Sequence, residues 1–230
     1  ASAAHELRTP LAVMQTNLEV FARKKTPTIE EYQDIFGMIQ NQTERLSHLS
    51  EVLLDMAGIQ SVERSDFISQ AELTDEVSCD LASIADQKKV ELIQEEGDCT
   101  VTGSYLLLYR AVYNLVENAI KYNHSGGKVT VKISQKKDLP AAHSKPADCA
   151  LVEVTDTGIG ISPEYQEKIF APFFRVDKSR SRAMGGAGLG LALVAEIARQ
   201  HGGQVKVLAS SKKGSTIALM LPINSPLIEI

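Results

Sequence analysis

Apolar side chains recur at alternating intervals of four and three residues near the start of this 230-residue chain. The first set is Leu7, Leu11, Met14, Leu18 and Phe21. Such a heptad pattern predicts a helix with one apolar stripe that packs along another helix. After a break, the rhythm returns at Tyr32, Ile35, Ile39, Leu46, Leu49, Leu53 and Met56.

The break between the two repeats predicts a hairpin of two helices. Thr28 precedes Glu31 by three residues, which is the spacing of a capping box at the start of the second helix. A lone hairpin with broad apolar faces needs a partner, and we expect a second copy of the chain to form a dimeric four-helix bundle with it. The alternative is that the hairpin packs on the rest of its own chain.

The helical repeat ends near residue 58, where a different composition begins. The polar stretch Ile59–Asp66 is interpreted as a linker between a helical domain over residues 1–62 and a second domain over residues 63–230. Strands are predicted at Val90–Ile93, Lys128–Ile133, Ala150–Val154, Gln204–Leu208 and Thr216–Leu221, and helices at Glu72–Gln87, Tyr105–Tyr122 and Leu189–Gln200. This order predicts an α/β sandwich, so the fold class is α plus α/β. Lys136–Asp148 is predicted to be a mobile surface loop without chemistry.

Composition excludes several functional classes. Hydrophobic residues make up 43% of the chain and charged residues 23%, as in globular proteins. The three cysteines have no CxxC spacing, which argues against a disulfide framework or a zinc site. A net charge of −5 disfavours nucleic acid, and there is no apolar run of about 18 residues to span a bilayer. We expect no nucleic-acid partner and no direct membrane contact, and we interpret the start at Ala1 as that of a fragment.

The first motif with chemical potential is His5-Glu6-Leu7-Arg8-Thr9-Pro10. An unperturbed imidazole is about three-quarters neutral at pH 7, so a nitrogen lone pair is available for attack. Glu6 would fix the ring tautomer and receive the ring proton as positive charge develops. Pro10 is expected to bend the helix and turn its exposed residues toward a partner. A lone histidine on a helix is more often a solvated surface residue.

Two asparagines in a predicted helix form the second motif. Asn114, Asn118 and Lys121 stand at i, i+4 and i+7, on one face of the helix. Amide oxygens suit Mg²⁺, which shares phosphate oxygens, and Lys121 would add positive charge for the phosphates. The alternative is the outer face of an ordinary amphipathic helix, although asparagine is a poor helix former.

The third motif, Asp156-Thr157-Gly158-Ile159-Gly160, directly follows an apolar strand. Glycines let the backbone approach a flat ligand closely, and a buried aspartate needs hydrogen-bond donors. The exocyclic amine of adenine is such a donor, whereas guanine would present a carbonyl oxygen, so the motif favours ATP over GTP. A tight turn with an Asx-type bond explains these residues nearly as well.

Glycines before the last predicted helix form the fourth motif, Gly185-Gly186-Ala187-Gly188-Leu189-Gly190. Backbone N–H groups and the helix dipole there can cradle phosphate. The Walker spacing is absent, and Leu193 stands where a Rossmann fingerprint needs its third glycine. Between the third and fourth motifs, Ile169–Arg175 and the basic segment Asp177–Arg182 predict a lid over phosphates, with a solvated loop as the alternative.

Together these motifs resemble the sequence boxes of sensor histidine kinases of two-component systems. HELRTPL resembles the H box, NLVENAIKY the N box, DTGIGI the G1 box, IFAPFFR the F box and GGAGLGLAL the G2 box. The family implies a HisKA-type dimerisation and phosphotransfer hairpin and a GHKL-type ATP-binding sandwich. It implies phosphorylation of His5 by ATP and Mg²⁺, transfer to an aspartate of a response regulator, and a phosphatase activity toward that regulator. It also implies a cytoplasmic location, within a sensor whose membrane anchor is not in this chain.

The resemblance assigns a role to each matching residue. Glu6 is the acid–base partner of His5, and Thr9 serves the phosphatase step. Asn118 is the principal Mg²⁺ ligand, with Asn114 assisting. The other nucleotide contacts are Lys121 and Arg175 to phosphate, Tyr122 beside adenine, Asp156 to the adenine amine, Gly158 and Gly160 in the adenine loop, and Gly186, Gly188, Leu189 and Gly190 around phosphate. Ala187 departs from the family by lacking a hydroxyl donor, and Ser104 replaces the usual aspartate as a helix cap.

Two other functions compete with a histidine kinase. An ATP hydrolase of the same superfamily would carry a glutamate at the position of Asn114 to activate water, and an amide cannot take that proton. A non-enzymatic scaffold would have no need of an intact His5, Asn118, Asp156 and glycine loop.

Overall fold

A computed structural model describes residues 3–139, 147–176 and 188–223. Its first part is the predicted hairpin, formed by α1 (Ala3–Ala22) and α2 (Ile29–Gly58). The capping box is present, because Thr28 Oγ1 accepts from Glu31 N at 3.2 Å and Glu31 Oε2 accepts from Thr28 N at 3.1 Å. Pro10 lies inside α1 and does not end the helix. The side chain of Pro10 is buried.

The second part is the predicted α/β sandwich. In chain order its elements are β1 (Asp66–Ser69), α3 (Gln70–Lys88), β2 (Glu91–Gln94), β3 (Thr100–Gly103), α4 (Tyr105–Lys121), β4 (Lys128–Leu139), β5 (Ala147–Asp156), α5 (Gly190–Gln200), β6 (Gln204–Ser211) and β7 (Gly214–Pro222). Five strands form one sheet in the order β2-β4-β5-β7-β6, and β1 pairs with β3 separately. In the sheet, β2 and β4 are parallel and the other neighbours are antiparallel.

Strand alternation determines which side of the sheet faces the helices. Val129, Val131 and Ile133 of β4 and Val152 and Val154 of β5 are buried in one core with apolar side chains of α3, α4 and α5. The intervening residues of β5 and β7 form a smaller buried cluster: Cys149, Leu151, Ala218 and Met220. α4 packs its apolar face into this core between α3 and α5, and its partly exposed side chains include Asn114 and Asn118.

Two strands were absent from the sequence prediction, and one predicted loop is wrong at its ends. β1 and β3 have four residues each, too few for an alternation pattern to be recognised. Lys136–Asp148 is partly strand, since β4 extends to Leu139 and β5 begins at Ala147. Main-chain pairing continues there, from Lys136 with Cys149 to Leu139 with Ala147, and it does not depend on apolar side chains. Residues 140–146 lie outside the described part of the chain.

The cap of α4 differs from the expected one. Ser104 stands at the N-cap position, but its side chain makes no capping bond. Asp66 Oδ2 instead accepts from Tyr105 N at 3.2 Å, while Ser104 N donates to His201 Nε2 at 3.1 Å. The start of α4 is therefore held by residues from the linker and from the end of α5, both distant in sequence.

The base of the hairpin packs on the sandwich. Leu49, Val52 and Ile59 are buried in the same core as the helices of the sandwich, so the alternative of packing within the chain is confirmed for this end. Farther along the hairpin, Leu11 and Phe36 remain 52% and 65% exposed. Burying a large apolar side chain is worth about 1.5–3 kcal/mol. The dimeric four-helix bundle, which would cover these side chains, stays a prediction.

Candidate functional site

A cleft of about 230 Å³ opens between α4, the segment that follows β5, and the start of α5. Ten residues predicted for the site line it: Asn114, Asn118, Lys121, Tyr122, Asp156, Gly160, Arg175, Gly188, Leu189 and Gly190. Apolar side chains line the cleft between them, including those of Leu115, Val154, Ile159, Ile161, Phe174 and Ile217. An apolar cleft with a few convergent polar groups is the usual form of a small-ligand site.

The two asparagines of α4 are held in one orientation by their own helix. Asn114 Nδ2 donates to Arg110 O at 2.8 Å, and Asn118 Nδ2 donates to Asn114 O at 2.7 Å. Because the amide nitrogens are engaged with main-chain carbonyls one turn back, the amide oxygens are left to accept from, or coordinate, other groups. A Cβ on Gly190 would lie 2.5 Å from Asn114 Oδ1, so glycine at the start of α5 allows the close approach of the two helices.

Asp156, the last residue of β5, lines the cleft. Its Oδ1 accepts from Gly158 N at 2.7 Å, which is the Asx-type bond that the sequence alternative predicted. Burial raises the pKa of this carboxyl, and hydrogen bonds from the main chain of Gly158 and Ser215 oppose the rise. The turn bond and a ligand-binding role are therefore compatible, since a carboxylate has about four acceptor sites.

Two glycines shape the loop after Asp156. Gly158 does not line the cleft itself, but a Cβ there would lie 2.5 Å from Tyr122 O. Gly160 has a φ of +70°, and a Cβ would lie 1.8 Å from Ser211 O. Both positions accept only glycine without displacement of the backbone, so the loop is held tightly against the turn after α4 and the end of β6.

Positive charge gathers at the C-terminal end of α4. Burial lowers the pKa of the Lys121 ammonium, and the charges of Lys88 and Arg175 lower it further, whereas the Glu117 carboxylate opposes the shift. Lys88 Nζ also donates to Lys121 O at 2.8 Å. An anion bound beside Lys121 and Arg175 would offset both the burial and the like-charge repulsion, so this end of the cleft suits phosphates.

The N-terminus of α5 borders the same cleft, where a Cβ on Gly190 would lie within 4 Å of both Asn114 and Asn118. Gly188 has a φ of +72°, and its carbonyl accepts from Phe173 N at 2.8 Å. Leu189 is buried and stands at the N-cap position, so the first N–H groups of α5 are presented beside Gly188 and Gly190. Gly186, Asp177–Arg182 and the rest of the predicted lid after Val176 lie outside the described residues.

The predicted phosphoacceptor motif lies in the hairpin. His5 and Glu6 lie within α1, and the structure describes their main chain but not their side chains. Thr9 is partly exposed. Among the described side chains of α1, none lines the cleft, and Leu7 packs against the main core.

Several cleft residues were not found by sequence reasoning. Glu117 lines the cleft between Asn114 and Lys121, and its position within NLVENAIKY on the same helix was the available signal. Ser215 lines it from β7 and contacts Ser210, whose Oγ accepts from Ile161 N at 2.7 Å. This contact links residues 49 positions apart, so no local pattern could indicate it.

The cleft contains candidate ligands for a hard metal ion. Among the residues that the structure describes, there is no cluster of three or more histidine, cysteine, aspartate or glutamate side chains able to bind a metal ion. The amide oxygens of Asn114 and Asn118 are hard donors and few in number, which fits Mg²⁺ completing its shell with water and phosphate.

No helix in the described part of the chain has the length and apolar character needed to cross a membrane.

Comparisons with known proteins identify both parts of the chain. A model for histidine kinase-, DNA gyrase B-, and HSP90-like ATPase domains, HATPase_c, matches residues 103–225. The His Kinase A (phospho-acceptor) domain model, HisKA, matches residues 1–62. The sensor histidine kinase RppB of Synechocystis sp. is 33% identical over 230 residues, covering 98% of this chain and 48% of RppB. The chain spans about half the length of the first curated relatives it matches.

Solved structures share the fold. The histidine kinase AdeS of Acinetobacter baumannii has a TM-score of 0.71 and 22% identity, covering 96% of this chain and 98% of that chain. The histidine kinase ThkA, crystallised in complex with response regulator protein TrrA, has a TM-score of 0.69 and 22% identity, covering 96% of this chain and 60% of that chain.

A helical hairpin followed by an ATP-binding α/β sandwich defines the catalytic portion of a two-component protein kinase. The chain belongs to the sensor histidine kinase family, with HisKA and HATPase_c domains in that order.

Proposed function

We propose that this chain transfers the γ-phosphoryl group of ATP to His5 and then to an aspartate of a response regulator. One observation carries the proposal: Asn118, Lys121 and Asp156, from two separate motifs, line one cleft with the N-terminus of α5. That cleft combines an acceptor, the Asp156 carboxylate, with positive charge and helix N–H groups, and a nucleoside triphosphate presents a partner for each of them.

The adenine end of the cleft supports a preference for ATP. The Asp156 carboxylate would accept from the exocyclic amine, with Tyr122 and the apolar wall beside the base. Guanine presents an oxygen at that position, and two acceptors facing each other in a partly buried site are repelled. The Gly158 N–H holds the carboxylate in place, so it cannot rotate away without losing that bond.

The phosphate end supports transfer of the terminal group. Lys121, Arg175 and the first N–H groups of α5 would hold the phosphates, and Asn118, assisted by Asn114, would hold Mg²⁺. When bound, Mg²⁺ neutralises charge that develops on the transferring phosphoryl group. Asn114 cannot accept a proton, so it does not activate water, which argues for a kinase rather than a hydrolase.

The phosphoacceptor step involves His5 and Glu6. A ring nitrogen lone pair of His5 attacks the γ-phosphorus and forms an N–P bond, while the bond from the γ-phosphorus to the β–γ bridging oxygen breaks. ADP leaves with that electron pair, and the ring proton passes to Glu6. The step requires that the imidazole of His5 meets the γ-phosphate end of a nucleotide bound in the cleft, within one chain or between two.

The partners follow from the same proposal. A receiver domain of a response regulator would dock on the hairpin around His5, and the ThkA complex with response regulator protein TrrA supports this kind of partner. A second copy of the chain would cover the exposed stripe of the hairpin, including Leu11, Leu18 and Phe36. ATP is an intracellular substrate, so we place this portion in the cytoplasm, as part of a longer membrane-anchored sensor.

One experiment separates this proposal from its competitors. The chain is incubated with γ-labelled ATP, and protein-bound label is measured beside free phosphate. A histidine kinase accumulates protein-bound label, and a response regulator that is added afterwards removes this label from the kinase. Free phosphate without bound label would indicate a hydrolase, and neither product would indicate a scaffold.

Replacing Thr9 by alanine should impair removal of phosphate from the regulator much more than formation of phosphohistidine. Thr9 lies one turn after His5 in α1, so the two positions share one face of the helix, on which we propose that the regulator docks. Its hydroxyl could orient a water for in-line attack on a phosphoaspartate, and we expect dephosphorylation to slow about tenfold or more. Rates of autophosphorylation and of regulator dephosphorylation are measured on the same preparations.

Thr16→Ala is the matched control, because Thr16 is an exposed threonine two turns farther along α1. It should leave both rates unchanged. Equal losses of both rates in Thr9→Ala, or loss of the kinase step alone, would show that Thr9 is structural.

A further inference from the structure

Asn123 and Thr157 lie behind the cleft rather than in it. Asn123 is in the turn after α4, and Thr157 is the residue after β5. Neither side chain lines the cleft, yet Thr157 Oγ1 donates to Asn123 Oδ1 at 3.2 Å across 34 positions of sequence. The pair therefore joins the turn that carries Tyr122 to the segment that carries Asp156.

The main chain of Lys128 closes this pair into a ring of hydrogen bonds. Asn123 Nδ2 donates to Lys128 O at 2.9 Å, and Lys128 N donates to Thr157 Oγ1 at 2.9 Å. Thr157 N also donates to Lys128 O at 3.1 Å. The Thr157 hydroxyl thus accepts one bond and donates to Asn123 Oδ1, with Lys128 O as a second and longer acceptor at 3.5 Å.

This ring replaces the last pairing of the β4–β5 ladder with a side chain. Val129 and Asp156 are the last pair in regular register. One residue farther, the Thr157 hydroxyl takes the N–H of Lys128 that a main-chain carbonyl would take in a continued ladder. The peptide after Thr157 is then able to turn, and Gly158 N donates to Asp156 Oδ1 at 2.7 Å.

The turn also fixes the other residue at the adenine end. Ile159 N donates to Tyr122 O at 3.3 Å, beside the tight approach of Gly158. At Gly127, a Cβ would lie 2.2 Å from Asn123 Oδ1 and 2.9 Å from Thr157 Oγ1, so glycine makes room for the ring. The ring therefore sets the spacing between Tyr122 and Asp156.

We propose that Asn123 and Thr157 are positioning residues for selection of the nucleobase, acting through Asp156 and Tyr122. The inference rests on the proposed use of ATP. A fixed carboxylate distinguishes the amine of adenine from the oxygen of guanine, whereas a carboxylate that can move accommodates either. Loss of the ring therefore weakens ATP binding and leaves the weaker binding of GTP nearly unchanged.

The test measures the dissociation constants of ATP and GTP for the full chain, with the rate of autophosphorylation at saturating ATP. Thr157→Val keeps the shape and removes the hydroxyl, and it should weaken ATP binding about tenfold, with GTP and the saturated rate little changed. Asn123→Ala should show the same changes in ATP binding, GTP binding and saturated rate. The double variant should be no weaker than either single one, because each already opens the ring. Thr157→Ser keeps the hydroxyl and should restore the preference for ATP.

Thr155→Val is the matched control. It removes a hydroxyl two residues earlier on β5, where Thr155 Oγ1 lies 3.0 Å from Thr216 Oγ1, and it should leave both constants unchanged. Variants that melt at a lower temperature but keep the wild-type ratio of the ATP and GTP dissociation constants would overturn this inference. That result would leave the proposed use of ATP untouched. A wild-type chain that binds ATP no better than GTP would overturn the adenine assignment as well. If Thr157→Val does not fold, Asn123→Ala supports or overturns the inference by the same ratio.

Discussion

Replacing Asp156 by asparagine should reduce the affinity for ATP by about 100-fold or more. The carboxylate already accepts main-chain hydrogen bonds from Gly158 and Ser215, and in the proposed complex it also accepts from the adenine amine. An amide has one oxygen, so its NH₂ group must face at least one of these donors. Two donors facing each other in a partly buried site leave both unsatisfied. Titration calorimetry with ATP measures the loss.

Glu153→Gln is the control for this change. Glu153 lies on the same strand three residues earlier, and the substitution also converts a carboxylate into an amide. We expect ATP affinity in that variant to equal that of the wild type. Thermal unfolding of both variants establishes that they are folded at the temperature of the titration. ATP affinity close to wild type in Asp156→Asn would exclude Asp156 as the adenine acceptor.

Replacing Asn118 by aspartate should reduce the rate of autophosphorylation by about 100-fold or more, with a much smaller effect on ATP binding. In the structure, Asn118 Nδ2 donates to Asn114 O at 2.7 Å. A carboxylate has no proton for that carbonyl and is repelled by it, so the aspartate must leave the orientation that the asparagine holds. It also brings negative charge to the end of the cleft where the phosphates are proposed to bind.

Gln87→Glu provides a matched change of charge on an exposed part of α3 and should leave the rate unaltered. The rate is measured at saturating ATP and Mg²⁺, and affinity is measured separately with a nucleotide that does not turn over. If Asn118→Asp weakened binding as much as the rate, Asn118 would be a binding residue without a special role in transfer.

Much of the fold could be predicted from periodicity. The heptad spacing gave the hairpin, and apolar runs gave the five strands of the main sheet, because a buried stripe or face requires a regular pattern over many residues. β1 and β3 were too short for such a pattern. The cap on α4 from Asp66 was also hidden, since Ser104 satisfies the local rule and only the tertiary fold brings Asp66 to Tyr105.

The same distinction applies to the candidate site: some of its residues could be predicted from sequence spacing, and others could not. Residues that lie on one helix face or in one glycine-rich loop, such as Asn114 and Asn118, could be found from spacing alone. Contacts that depend on strand register could not, because the pairing of Val129 with Asp156 decides that Thr157 meets Asn123.

Localisation of the phosphoryl group tests the proposed function most directly. The chain is incubated with γ-labelled ATP and Mg²⁺, and the label is mapped by mass spectrometry in the wild type and in His5→Gln. We predict a single labelled residue, His5, with a bond that is labile in acid and stable in base, and no protein-bound label in His5→Gln. Full labelling of His5→Gln, or label on another residue of the wild type, would contradict the assignment of His5 as the phosphoacceptor.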